Sequence, residues 1–347
     1  MNRRHFLTTS SLTAAATAQA ASPTKIKIVQ IGTAHAHAAG KMQVYRASPD
    51  FDVVGLVEPD DTRFASATKS STYQNLPRLS LNQALATPGL QAAAIETGVA
   101  DLLANAAPCI DAGLHIHLDK PAGTSLPQFA NLLQKADAKN LTVQLGYMYR
   151  FNPAVELLHQ FIADGWLGDI VNVDASMGKV LSPGARKEIA AFDGGIMFEL
   201  ACHVIDLVVK ILGEPESVTP NVHHHGSDGL ADDMLAVFTY PKANATVRSS
   251  AIEVDGFAAR YLTVRGTRGS FHIQPLDRPT VTLALDQPRG DYKKGTQTIP
   301  LGPYPRYVGD ARQLAQIIHK KIQSPYPNSH ELATQRTVLK ASAMPTT

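Results

Sequence analysis

The chain has 347 residues, long enough for two domains, each with a sizeable core. It carries 32 basic and 30 acidic residues; the first 20 residues hold Arg3 and Arg4 and no acid, so the remainder is balanced at 30 of each. A neutral surface argues against nucleic acid or an anionic membrane as the main partner. Two cysteines, Cys109 and Cys202, cannot build a disulfide framework, and both fall on apolar helical patterns as small core residues.

At the N-terminus, Asn2 to Leu7 reads NRRHFL, which resembles the twin-arginine export motif. A mildly apolar Ala/Thr/Leu stretch follows, and Ala18-Gln19-Ala20 fits a small-x-small cleavage site. The stretch is too short and too weakly hydrophobic to span a bilayer, so no stable membrane span is expected. Residues 1–22 are therefore set aside as a twin-arginine signal peptide. The expected location is periplasmic or extracellular, with the twin-arginine export machinery as a transient partner.

From Lys25 onward, apolar runs alternate with helical stretches. Strands are expected at 25–31, 52–57, 91–96, 114–118 and 141–148, and helices up to Ala47, from Asp61, and over 80–86, 99–112 and 126–139. This alternation predicts an α/β domain with a doubly wound parallel sheet over residues 23–148. Such sheets bind ligands at the carboxyl ends of their strands. After Tyr149 the pattern changes. Asn152-Pro153 opens a helix to about Ala163 as an N-cap and first-turn pair. A strand near 170–177 leads into a Gly/Pro-marked loop. Runs between Met234 and Leu285 read as antiparallel strands, and helices near 310–322 and 329–343 finish a second domain over 149–347.

Between Gly194 and Gly213 the sequence GGIMFELACHVIDLVVKILG reads as about five helical turns, apolar nearly all round and therefore buried. Glu199, His203 and Asp206 lie at i, i+4 and i+7 and share one face. Burying two carboxyls and an imidazole is costly unless they are partnered or used. Either a hydrogen-bonded core stripe or a catalytic face fits, and the Glu-x-x-x-His pair is a weaker candidate for metal, so no metal site is expected. Asp206 reads as structural. The first strand ends in IGTAHAHAAG, where a dinucleotide fingerprint would carry three glycines. Gly32 supplies the first; Thr33 follows; Ala34 and His37 replace the second and third. A helix N-terminus here still favours a phosphate. His35 is either a donor to that phosphate or an exposed bystander. Glu58 ends the second strand, 26 residues after Gly32, in the place of the carboxylate that takes ribose hydroxyls. That charge favours NAD over NADP. In LHIHLDKPAG, a strand runs straight into Asp119, Lys120 and Pro121 and sets a lysine at the carboxyl end of the sheet, with Pro121 a candidate for a cis peptide. The run His223-His224-His225 reads as a solvated loop, Asp232 and Asp233 as either a turn or a cleft edge, and Trp166 as a packing residue.

With IGTAHAHA, LVEPD, AGLHIHLDKP, LGYMYRFNPAV and GGIMFELACHVIDLVVKILGEPESV in view, the chain resembles the glucose–fructose oxidoreductase/inositol dehydrogenase/MocA family from about Lys25 to Pro215, and more loosely to the end. The resemblance implies an N-terminal Rossmann domain and a C-terminal α/β domain with an open, mostly antiparallel sheet, often used in oligomer contacts; a homo-oligomer is therefore expected. It implies an oxidoreductase with bound NAD acting on a sugar, glycoside or polyol hydroxyl. The family's Glu-Lys-Pro motif falls on Asp119, Lys120 and Pro121, and its Asp-x-x-x-His pair on Glu199 and His203, with Glu in place of Asp. Where the family reads Thr-Pro-Asn-x-x-His, this chain reads TGVADL and matches only at Thr97. The expected cofactor contacts are Gly32, Thr33, Ala34, His35, Glu58, Thr97, Asp119, Lys120 and Pro121. Lys120 and His203 are the expected catalytic pair, with His203 also touching substrate; Glu199 is expected to orient His203 or to bind another substrate hydroxyl, and Arg150 to be a substrate anchor or the ion-pair partner of Glu199. Free NAD is scarce outside the cytoplasm, and the glycine motif and TGVADL depart from the family, so three readings stay open. One is an oxidoreductase that retains its cofactor. Another is a redox-neutral glycosidase that oxidises C3 transiently and eliminates at C1. The last is a sugar-binding protein without catalysis.

Overall fold

The computed structural model describes residues 24–191 and 193–347; the expected signal peptide lies outside the described residues. Five parallel strands form the first sheet: β1 (Ile26–Ile31), β2 (Phe51–Val57), β3 (Leu90–Ile95), β4 (His115–Leu118) and β5 (Val143–Leu145), in the spatial order β2-β1-β3-β4-β5. Between them run α1 (Ala38–Ala47), α2 (Asp61–Ala67), α3 (Leu81–Leu85), α4 (Leu102–Asp111) and α5 (Leu126–Ala138). The strands read as continuous apolar runs because helices cover both faces, and β1 is buried at five of its six positions. Local signals set the helix starts. Ser80 and Gln83 form a reciprocal capping box on α3, and the Ser125 side chain accepts from the amide of Gln128 at the start of α5. The last strand is shorter than its apolar run implies: the backbone leaves the sheet after Leu145 and enters a tight 3₁₀ turn at Met148–Phe151.

The Asn152 side chain accepts from the Ala154 amide at 2.9 Å and opens α6 (Pro153–Ala163). Next come β6 (Ile170–Gly178), α7 (Pro183–Ile189), a π-helical turn at Met197–Ala201, α8 (Cys202–Leu212), β7 (Ser217–His223), β8 (Asp233–Thr239), β9 (Asn244–Ser250), α9 (Gly256–Ala259), β10 (Tyr261–Gly266), β11 (Gly269–Ile273), β12 (Val281–Leu285) and β13 (Gly295–Ile299). The eight strands form one open sheet, β13-β12-β11-β10-β6-β9-β8-β7, antiparallel except for the β6–β9 pair. One face is packed: Met234, Ala236 and Phe238 of β8 are buried while Leu235 between them is exposed. Helix α7 forms where a loop was expected, because Ser182 caps it and Pro183 pre-sets its first turn. His223 is likewise the last residue of β7, not part of the loop.

The chain then returns to the first sheet. In α10 (Val308–Ile318), Ala311, Leu314 and Ala315 pack with Ile26, Ile28, Tyr45 and Phe51. The last helix, α11 (Asn328–Ala341), packs on α8 and α5. Residues far along the chain thus cover both sheets. No helix among the described residues is long and apolar enough to cross a membrane. Leu314 is fully buried in this seam. Leu314→Ala is therefore expected to destabilise the protein by about 2–5 kcal/mol in denaturant unfolding, including the first domain; a loss near zero would contradict the packing of α10 on β1.

Candidate active site

Strand β4 delivers Asp119 and Lys120 at its carboxyl end, and the Lys120–Pro121 peptide is cis, as Pro121 allowed. The Lys120 side chain crosses to the second domain. Its ammonium donates to the Glu199 backbone carbonyl at 2.6 Å and to the Glu199 carboxylate at 3.1 Å. Glu199 lies in the π turn rather than in a straight α-helix. Such turns are rare and recur at functional sites. Burial opposes the charged form of Lys120, but Glu199, Cys202 and Asp119 outweigh it and hold the ammonium above the ordinary lysine range. Lys120 is therefore a fixed cation, with a preset donor group.

His203, one turn further on, is buried among three rings. Its centroid lies 5.6 Å from Tyr149, 5.7 Å from His37 and 5.9 Å from Tyr147. Burial, then the Lys120 charge and His37, push its pKa well below the usual histidine value, so the imidazole is neutral at neutral pH. Its Nδ1 and the Tyr147 hydroxyl are buried with no hydrogen-bond partner. Buried polar atoms are nearly always satisfied, which sets these two apart from the paired groups around them.

Asp206 turns to the opposite end of the same face. It accepts from Arg150 at 2.9 and 2.6 Å, while Arg150 also donates to Glu331 of α11 at 2.7 and 2.6 Å. His330 contacts Asp206 at 3.0 Å. Arg150 is only 3% exposed. This corrects the expected roles of Arg150: its guanidinium is spent on two buried carboxylates, so it neither pairs with Glu199 nor reaches a substrate. Asp206 is structural, as its pairing shows.

The expected dinucleotide residues gather along the carboxyl ends of β1 to β4. Gly32 has φ +87°, and a Cβ there would meet the Thr97 backbone at 2.9 Å, so the turn needs glycine. Thr33 donates to the Glu58 carboxylate through its amide at 2.9 Å and its hydroxyl at 2.7 Å. Ala34 is half-buried in the same turn. Beside Glu58 lies a cavity of about 450 Å³, lined also by Pro59, Arg78, Leu79 and Asn105. Arg78 is held by the Glu58 and Pro59 carbonyls and pairs with Asp61. At the other end of the turn His35 departs from both of its expected roles. It is buried, its Nε2 lies 3.0 Å from the Lys120 carbonyl and its Nδ1 2.8 Å from Asp119. It is neither an exposed bystander nor a free donor to phosphate. Asp119 also receives the Lys120 amide at 2.7 Å and meets Lys41 at 3.1 Å and His37 at 3.2 Å. Burial would raise its pKa, but His35, Lys41 and His37 hold it well below the carboxylate range.

Sequence reasoning did not find Lys41, Tyr147, Tyr149, His330 or Glu331. Lys41 is a single charge on a short helix, and Glu331 lies 181 residues from Arg150. His37 was visible only as a misfit for glycine, although its ring reaches His203. The remaining sequence candidates are structural. Asp232 accepts from the amides of His225 and Gly226 and pairs with Arg186; Asp233 pairs with Arg248; His224 and His225 are exposed; Trp166 packs on Phe161. Cys109 and Cys202 are both buried.

The five-stranded parallel sheet and the open, mostly antiparallel sheet define an α/β two-domain protein with a dinucleotide-type first domain. Residues 155–272 match the family model of the GFO/IDH/MocA C-terminal domain. Among curated proteins, trans-1,2-dihydrobenzene-1,2-diol dehydrogenase of Bos taurus is 26% identical over 200 residues, covering 57% of this chain and 56% of that protein. D-xylose 1-dehydrogenase (NADP(+)) 2 of Haloferax volcanii is 27% identical over 185 residues, covering 51% and 56%. The chain thus spans about half the length of the curated relatives it matches. Among solved structures, levoglucosan dehydrogenase, in complex with NADH and levoglucosan, superposes with a TM-score of 0.78 at 17% identity, covering 92% of this chain and 98% of that one.

The Arg150 hub makes a pH prediction. Burial would raise the Asp206 pKa, but Arg150 and His330 lower it to about 2. An aspartate depressed in the folded state stabilises above its unfolded value of about 3.9 and loses that contribution as pH falls toward the folded value. The stability gap between the wild type and Asp206→Asn should be constant near neutrality and shrink as pH falls below about 4. A gap that stays flat down to that lower limit would contradict the pairing.

Proposed function

We propose that the chain is an oxidoreductase of the GFO/IDH/MocA family that acts on a CH–OH group of a sugar, glycoside or polyol. The observation that carries this reading is Lys120, a buried cation anchored to Glu199, whose charge helps to keep His203 a neutral imidazole. A carbinol placed between them meets a proton acceptor and a fixed positive donor. His203 would take the hydroxyl proton on an unprotonated ring nitrogen. Lys120 would donate to the same oxygen and stabilise its growing negative charge in a site shielded from water. Glu199 holds the ammonium in place and is a positioning residue. The Tyr147 hydroxyl supplies a second unsatisfied group for a polyhydroxylated ligand.

A nicotinamide dinucleotide, when bound, would accept the hydride from the carbinol carbon. Residues at the adenosine side fit such a group: the tight Gly32 turn, the Glu58 carboxylate at the end of β2 and the cavity beside it. Thr33, Ala34 and Thr97 would line its path toward Asp119, Lys120 and Pro121. Glu58 would repel a 2′-phosphate, and Arg78 is already engaged, which favours NAD over NADP. Relatives named as xylose and dihydrodiol dehydrogenases support the substrate class. We further propose, from the NRRHFL motif, export to the periplasm or beyond by the twin-arginine machinery, and a homo-oligomer formed through the open sheet face on which Leu235 is exposed.

Screening sugars and polyols with NAD should give one oxidised by the wild type. On that substrate, His203→Ala and Lys120→Met are each expected to lower kcat by about a hundredfold or more with the fold intact by circular dichroism. Near-normal turnover in both variants would overturn the assignment.

A further inference from the structure

We propose that His37 is the proton outlet of the site: it takes from His203 the proton that leaves the carbinol and passes it to water, with Asp119 fixing its ring. The inference rests on the oxidoreductase reading above and adds a step that this reading leaves open. Oxidation of a carbinol to a carbonyl sends a hydride to the cofactor and leaves one proton, which His203 takes. His203 must lose that proton before it acts again, yet it is only 2% exposed.

The rings packed around His203 differ in what they can do. Tyr147 and Tyr149 are fully buried, and burial raises both phenols above the ordinary tyrosine range, so neither ionises near neutrality. The His37 side chain is 13% exposed, and its ring centroid lies 5.7 Å from that of His203, a gap that one water bridges. On its other side the His37 ring lies 5.4 Å from Tyr307, the residue before α10. Tyr307 lines a surface cavity of about 560 Å³ together with Gly40 and Arg312. A line of groups thus runs from the buried base to the surface without passing through the cleft that substrate and cofactor would fill.

The hydrogen bonding of His37 is set for this task. Its Nδ1 lies 3.2 Å from Asp119 Oδ1. Asp119 is ionised and can only accept, so Nδ1 carries the proton and Nε2 of the neutral ring keeps its lone pair. Asp119 is itself fixed by the Lys120 amide at 2.7 Å and Lys41 at 3.1 Å. Nε2 accepts the proton released by His203, Asp119 pairs with the imidazolium so formed, and the proton goes on to water. Both rings end neutral. Burial lowers the His37 pKa to about 4 against the pull of Asp119, and His35 and the Lys120 charge also oppose a lasting positive charge there. The ring therefore passes a proton on instead of holding it. Glu199, whose side chain is 18% exposed, is the rival outlet. Its carboxylate meets the Lys120 ammonium at 3.1 Å, and protonating it would leave that buried cation without its counter-charge.

The test uses the full chain and a sugar or polyol that the wild type oxidises. In dilute buffer near neutral pH, His37→Gln and His37→Ala should each lower kcat by about tenfold or more, with KM for that substrate unchanged. Free imidazole should restore most of kcat in His37→Ala, saturably, and leave the wild type unaffected; a merely structural loss would not respond. A readout without turnover comes from ¹⁵N-labelled histidine: in the resting protein the resonance lost in His37→Gln should be that of an Nδ1–H tautomer. The proposal is overturned if the folded variants keep wild-type kcat, if imidazole restores nothing, or if His37 rests as the Nε2–H tautomer. A wild type that oxidises no sugar or polyol would remove the oxidoreductase reading and this proposal with it, which no result on a His37 variant would do.

Discussion

A buried ammonium held between two domains is the constraint on which the rest of the site depends. Lys120 leaves the end of β4 and places its charge on the carbonyl and carboxylate of Glu199, in the π turn before α8. An ion taken out of water costs several kcal/mol unless its donors are satisfied, so this contact is stable only while β4 and the π turn keep their spacing. The π turn and the packing of α8 both bear on that one distance. His203 follows from it: the same charge that Glu199 fixes also helps to keep the neighbouring imidazole neutral.

Spacing of this kind needs rigid support on both sides, and the far end of α8 supplies it. Arg150 binds Asp206 of α8 and Glu331 of α11 with no water between them. One guanidinium thereby ties the turn after β5, α8 and α11 together. The geometry is bidentate to each carboxylate, the arrangement in which a planar guanidinium surpasses an ammonium. Removing it would strand two buried charges. The C-terminal residues serve the first domain as well, because α10 closes the face of β1 and β2.

Much of this was legible in the sequence, and the limits have physical causes. Strand and helix positions followed from periodicity and caps, and the fold class with them. Lys120 was placed by a strand running into Asp-Lys-Pro, and His203 by a polar stripe on an apolar helix. Neither spacing nor composition marks a π turn, so the register around Glu199 was missed. Helix α7 is hidden because Pro183, which starts it, reads in the sequence as a loop marker. Arg150 was misassigned because its partners lie 56 and 181 residues away, and a lone arginine carries no sign of which carboxylate it will meet. His35 and His37 were judged against a glycine template, which registers what they spoil and not what they build with Asp119.

Nucleotide content tests the central claim most directly. The protein would be purified without added nucleotide, denatured, and the released small molecules identified by mass; the folded protein would then be titrated with NADH and NADPH. The account predicts released NAD or NADH, or saturable binding of NADH in preference to NADPH. A folded protein that releases no nucleotide and binds neither would contradict it, and would leave Lys120 and His203 as parts of a sugar-binding site instead.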